Sequence, residues 1–150
     1  MEERGDPRHH MIRRVLDPQR NIHGPAAVML SRYETQLLDV RPDADLIDSI
    51  RDDDNTIAAS RLYAHYDHND FFLEENQLLR ELGPISDHPC AIVAGRFDMC
   101  TPPGGAFDLH QAWPNSRLMI AANAGHRWND PSLAAAIIAS LDQIARAVQP

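Results

Sequence analysis

The apolar residues of this chain follow two regimes that meet at Gly83-Pro84. Before that point they are spread among charged and polar neighbours at helical spacing; after it they gather into short runs separated by turns. Pro25 followed by Ala26-Ala-Val-Met-Leu30 and a run of helix formers predicts a helix beginning at the proline and reaching about position 38. The acidic turn Asp52-Asp-Asp-Asn55 supplies capping side chains for a second helix over about 56–66. Beyond Gly83-Pro84, Cys90-Ala-Ile-Val-Ala94 reads as a strand, and Pro102-Pro-Gly-Gly105 precedes a helix to about Ala112. Leu118-Met-Ile-Ala-Ala122 is a second strand. Pro131 opens a last helix to about Val148, with Leu133, Ile137, Ile138, Leu141 and Ile144 at helical spacing. A β-α-β-α order in so short a stretch implies two parallel strands joined by a right-handed crossover. The expected division is a helical segment over 1–82 and an α/β segment over 83–150.

That topology brings two loops together. Gly95-Arg-Phe-Asp98 follows the first strand and Asn123-Ala-Gly-His126 follows the second, so both emerge at one sheet edge, about one strand spacing apart. Asp98 and His126 are expected to be neighbours. A carboxylate that orients an imidazole is the acid–base half of a nucleophilic triad. Gly95 and Gly125 are expected to give these loops their tight turns, and Trp128 is expected to cover the second loop rather than line a pocket. Beside Asp98, Arg96 can pair with it or point to solvent.

Composition narrows the chemistry. The 150 residues carry 14 basic and 22 acidic side chains, a net charge of −8, and every basic residue is Arg. An acidic surface without a basic stripe argues against nucleic acid or an anionic membrane as partner. No apolar run approaches the ~20 residues that cross a bilayer, and Met1-Glu-Glu-Arg-Gly-Asp6 has no apolar core, so a cytoplasmic setting is expected. The two cysteines, Cys90 and Cys100, have no zinc-type spacing and read as small apolar fillers. His65 and His68 lie one helical turn apart with no third ligand assured, so no metal and no cofactor are expected.

Gly95-Arg-Phe-Asp-Met-Cys-Thr-Pro-Pro103, Ala106-Phe-Asp-Leu-His-Gln-Ala-Trp-Pro114 and Ala124-Gly-His126 together resemble the C-terminal third of the proline iminopeptidases. These are serine peptidases of the α/β-hydrolase fold that release N-terminal proline from peptides. The matching run covers about 61–135. The resemblance implies the C-terminal portion of an α/β-hydrolase fold preceded by helices of a cap domain, with Asp98 as the acid and His126 as the base of the triad. Ala26-Ala-Val-Met-Leu-Ser-Arg-Tyr-Glu34 is similar to a cap helix whose glutamate, at the position of Glu34, receives the substrate's α-ammonium group. Arg61-Leu-Tyr-Ala-His-Tyr66 is similar to Arg-Ile-Glu-Asn-His-Tyr, with Tyr63 in place of a second ammonium-binding glutamate.

One feature of that family is missing from the sequence. Its nucleophile sits in a Gly-x-Ser-x-Gly elbow, and none of the serines here has glycines at that spacing. The expectation is therefore half a triad, inactive by itself. The alternative is a truncated, non-catalytic relative that binds a partner or pairs with itself. In the complete fold the strand at 90–94 has neighbours on both sides; an unpaired edge there would invite self-association.

Overall fold

The computed structural model describes residues 6–147. It is largely helical, with one small parallel sheet. The described chain forms two compact units. One comprises the residues up to Gln36 together with Asp43–Glu75, the other Leu37–Pro42 together with the residues from Asn76 onward.

The first unit is built from helices whose ends are written in the sequence. In α1 (Pro7–Leu16) the Asp6 carboxylate accepts the Arg8 N–H at 2.9 Å, and Pro7 occupies a first-turn position where no N–H is needed. Ile12 and Val15 are its buried face. α2 spans Arg20–Leu37, so Pro25 lies inside the helix rather than at its start. A proline there removes one backbone bond. Just beyond the proline, Ala26 and Leu30 are buried with Ile12, Val15 and Ala64 in one apolar cluster, which anchors the longer part of the helix. A short α3 (Ala44–Ser49), capped by Asp43, was not expected from the pattern. α4 (Asp54–His68) starts where the acidic turn predicts, with Asp53 accepting the Thr56 N–H at 2.8 Å. Its buried residues, Ile57, Ser60, Ala64 and Asp67, recur at intervals of three and four. Ser60 donates its hydroxyl to the Ala27 carbonyl at 3.1 Å, and Arg61 closes the end of α1 by donating to the Val15 and Asp17 carbonyls, both at 2.9 Å.

The second unit carries α5 (Gln77–Arg80), β1 (Cys90–Gly95), α6 (Pro103–Ala112), β2 (Ser116–Ala121) and α7 (Pro131–Ala147). β1 and β2 are parallel, in register from Cys90 opposite Ser116 to Gly95 opposite Ala121. Both α6 and α7 pack against both strands. The core of this unit is Ala121, Ala124, Leu133 and Ala136, with Val93, Met119 and Ile137 against it. The apolar stripe of α7 is only partly covered: Leu133 is buried, but Ile138 and Leu141 are 61 % and 63 % exposed. Two strands offer too narrow a floor for the whole stripe. Val148, the expected end of this helix, lies outside the described residues.

No helix among the described residues is long and apolar enough to cross a membrane.

Candidate active site

The parallel register delivers the ends of β1 and β2 side by side, and backbone bonds then lock the two following loops together. The Arg96 N–H donates to the Ala121 carbonyl and the Phe97 N–H to the Ala124 carbonyl, both at 3.0 Å. Gly95 and Gly125 serve close approach rather than conformation. Neither has a positive φ. A Cβ at position 95 would stand 2.0 Å from the Gly125 carbonyl oxygen, and one at 125 would stand 2.6 Å from the Leu38 carbonyl oxygen. That carbonyl also accepts the His126 N–H at 2.8 Å, while Asp39 pairs with the Arg127 guanidinium at 2.6 Å.

Asp98 and His126, 28 positions apart, meet here: Asp98 Oδ2 lies 2.9 Å from His126 Nδ1. A carboxylate can only accept, so Nδ1 carries the proton and Nε2 is left as the basic nitrogen. The other oxygen, Oδ1, accepts the backbone N–H groups of Cys100 at 2.9 Å and Thr101 at 2.8 Å. The Thr101 hydroxyl donates to Oδ2 at 2.9 Å and lies 3.3 Å from His126 Nδ1. Asp98 is only 6 % exposed. Burial alone would raise its carboxyl, but the Thr101 N–H, the His126 ring and the Thr101 hydroxyl outweigh it and hold the group below the ordinary carboxylate range. The result is a buried, four-times-bonded anion behind a partly exposed imidazole, the arrangement that fixes one tautomer and steadies an imidazolium.

In front of the pair is a hollow of ≈ 600 Å³, lined by Val93, Ala106, Trp128, Leu133 and Ile137 in addition to Asp98, Thr101 and His126. Trp128 thus lines the hollow instead of covering its loop, and is 76 % exposed. The walls are mostly apolar and no serine is among the lining side chains. Arg96 does not pair with Asp98, whose oxygens are taken; its guanidinium lies 5.8 Å from the Phe97 ring centre.

Three further outcomes differ from the sequence reading or extend it. Cys100 is exposed and Cys90 half-buried, so neither is a core filler. Two residues in a tight loop beyond Asp98, Cys100 has no core to enter. Thr101 joins the site through a turn pattern, an Asp followed three positions later by Thr, that ties side chain to backbone. The clamp at Leu38 and Asp39 had no local signal, because it comes from a distant segment.

Glu34 belongs to the first unit, on α2, and is half-buried. Burial, and then the negative charge of Asp67, raise its carboxyl above the ordinary glutamate range. Asp67 is itself buried: one oxygen pairs with the Arg8 guanidinium, and Oδ2 has no hydrogen-bond partner. Tyr63 packs edge-on against the Phe71 ring, centres 6.2 Å apart.

Known proteins place this site in context. No family model matches the chain. It is similar to proline iminopeptidases over most of its length: 33 % identical to the one from Xanthomonas citri over 144 residues, which is 95 % of this chain and 46 % of the relative. The Arabidopsis thaliana protein is 31 % identical over 133 residues, 88 % of this chain and 35 % of the relative. That of Xylella fastidiosa strain 9a5c is 34 % identical over 140 residues, 90 % of this chain and 45 % of the relative. The chain therefore spans less than half the length of each of these three.

Proposed function

We propose that this chain carries the acid–base half of a serine-hydrolase centre of the prolyl aminopeptidase type, and that its two strands are a C-terminal portion of an α/β-hydrolase fold. In this reading Asp98 orients and steadies His126, and His126 Nε2 takes a proton from a serine nucleophile and returns it to the leaving amine. The observation that carries it is the 2.9 Å Asp98–His126 bond at the joined ends of two parallel strands. The substrate class, peptides with N-terminal proline, follows from the names of the relatives. The apolar hollow of ≈ 600 Å³ is compatible with a small ring. Glu34 is the proposed receiver of the substrate's α-ammonium group, alone in that role because Tyr63 is a neutral phenol.

The sequence holds no serine elbow, so the nucleophile must come from other residues than these. By itself the chain is expected to give no turnover. A base without a nucleophile supplies little rate.

The test has two arms on a proline anilide. The chain alone should be inactive; turnover that His126→Ala abolishes would overturn that half of the proposal. A chimera joining this chain to the part of the Xanthomonas citri protein that it does not match should hydrolyse the anilide and lose that activity on His126→Ala. A folded but inert chimera would sink the catalytic reading and leave the binding or self-associating module, which the incompletely covered α7 stripe favours.

A further inference from the structure

We infer that Asp98, Cys100 and His126 form a three-ligand site for a divalent ion of the zinc class. One ligand atom from each (a carboxylate oxygen, the thiol sulfur and a ring nitrogen) lies within 4.8 Å of the other two, the only such trio among the described residues. Around a tetrahedral zinc, bonds of about 2.0–2.3 Å set ligand atoms roughly 3.3–3.8 Å apart. Asp98 Oδ2 and His126 Nδ1 stand 2.9 Å apart, so an ion between them would take the place of the Nδ1 proton and its hydrogen bond and open that edge by about 0.4 Å or more. The other two edges lie within 4.8 Å, so closing them takes at most about 1–1.5 Å, the order of movement that a change in χ1 gives the Cys100 sulfur. The Cys100 main chain needs no movement, because its N–H is already tied to Asp98 Oδ1 at 2.9 Å.

The donor set also selects the ion. A thiolate and a carboxylate beside a neutral imidazole offset a 2+ charge, and sulfur with imidazole nitrogen favours zinc-class ions over magnesium or calcium. Two of the three ligands, Asp98 and His126, line the hollow, and three protein ligands leave a fourth position for water. An ion held here would occupy both members of the acid–base pair, so it would block proton transfer by His126. The site goes beyond the peptidase reading and does not depend on it.

The experiment uses the purified full chain, stripped with EDTA and titrated with zinc chloride by calorimetry and with cobalt(II) chloride by absorbance. The expected result is one ion per chain, with a sulfur-to-cobalt charge-transfer band and the visible bands of a four-coordinate ion. Cys100→Ser should abolish the charge-transfer band and weaken binding about tenfold or more, as loss of a ligand does. His126→Ala should weaken binding similarly, and Cys90→Ser should change neither reading. In the unmodified chain, zinc should slow alkylation of Cys100 but not of Cys90, which needs no variant to fold. Binding that survives both Cys100→Ser and His126→Ala, no charge-transfer band, or no zinc protection of Cys100 would each overturn the assignment. None of these readings measures peptide hydrolysis, so an inert chimera leaves the metal result standing and the reverse holds equally.

Discussion

The carbonyl oxygen of Gly125 sits 2.0 Å from where any Cβ on Gly95 would be. The two loops that carry His126 and Asp98 thus approach each other more closely than side chains permit. That contact sets the position of the imidazole against the carboxylate.

Gly95→Ala should therefore cost roughly 1–3 kcal/mol, as inserting a methyl group into a packed site does. The obstacle is backbone, which cannot swing aside. Gly104→Ala provides the contrast: nothing lies within 4 Å of its Cβ position, it is in the first turn of α6, and the change should stabilise by up to about 1 kcal/mol. Thermal melts of the two variants should move in opposite directions; a neutral Gly95→Ala would mean that the loops are not locked.

Stability should fall in acid partly through Asp98. Its folded carboxyl lies below the ordinary range, so the folded state binds that proton less readily than the unfolded chain. The stabilisation is present above the unfolded carboxylate pKa and is lost as pH falls through the folded one. Thr101→Val removes one donor to Oδ2 and should cost about 1 kcal/mol at neutral pH. Denaturant melts across the acid range would show the difference between variant and parent shrinking as Asp98 is protonated.

Glu34 has the opposite sign. Burial and Asp67 raise its folded carboxyl, so the folded state holds that proton more readily and stability declines as pH rises from the ordinary glutamate range through the folded pKa. Glu34→Gln should abolish that decline and raise stability at neutral pH. If instead the variant is destabilised at every pH, the glutamate is held by a partner and the repulsion with Asp67 is not what governs it.

At micromolar concentration the chain should self-associate. Among the described residues β1 and β2 form a sheet of two strands, each with an unpaired edge, and α7 exposes Ile138 and Leu141. Light scattering during gel filtration should give a mass that rises with concentration, and Ile138→Arg with Leu141→Arg should lower it. A clean monomer with one cooperative unfolding transition would refute the idea.

Val15, fully buried against Ile12, Leu30 and Ala64, tests the first unit separately. Val15→Ala should cost about 2 kcal/mol from lost burial and the space left behind. Followed by the fluorescence of Trp113 and Trp128, both in the second unit, the variant should leave that unit's transition unchanged if the two unfold independently.

The sequence alone determined the local choices. Asp53 before Thr56 placed the start of α4, Pro131 opened α7, and the two short apolar runs became parallel strands because a helix separates them, although α6 begins at Pro103, inside the turn expected to precede it. The pairing of Asp98 with His126 was legible for the same reason: topology forces both loops to one edge. Where neighbours in space but not in sequence decide, the pattern failed. Pro25 stayed within α2, with Ala26 and Leu30 just beyond it buried in a tertiary apolar cluster that no local pattern announces. Ile138 and Leu141 were left exposed because only the folded sheet reveals how little surface it offers. Cys100 came within reach of Asp98 and His126, and Leu38 fixed the His126 loop, through contacts across 26 and 88 positions that no local periodicity encodes. Local interactions are repeated every few residues and can be read along the chain, whereas a site depends on single long-range contacts that exist only once the chain has closed on itself.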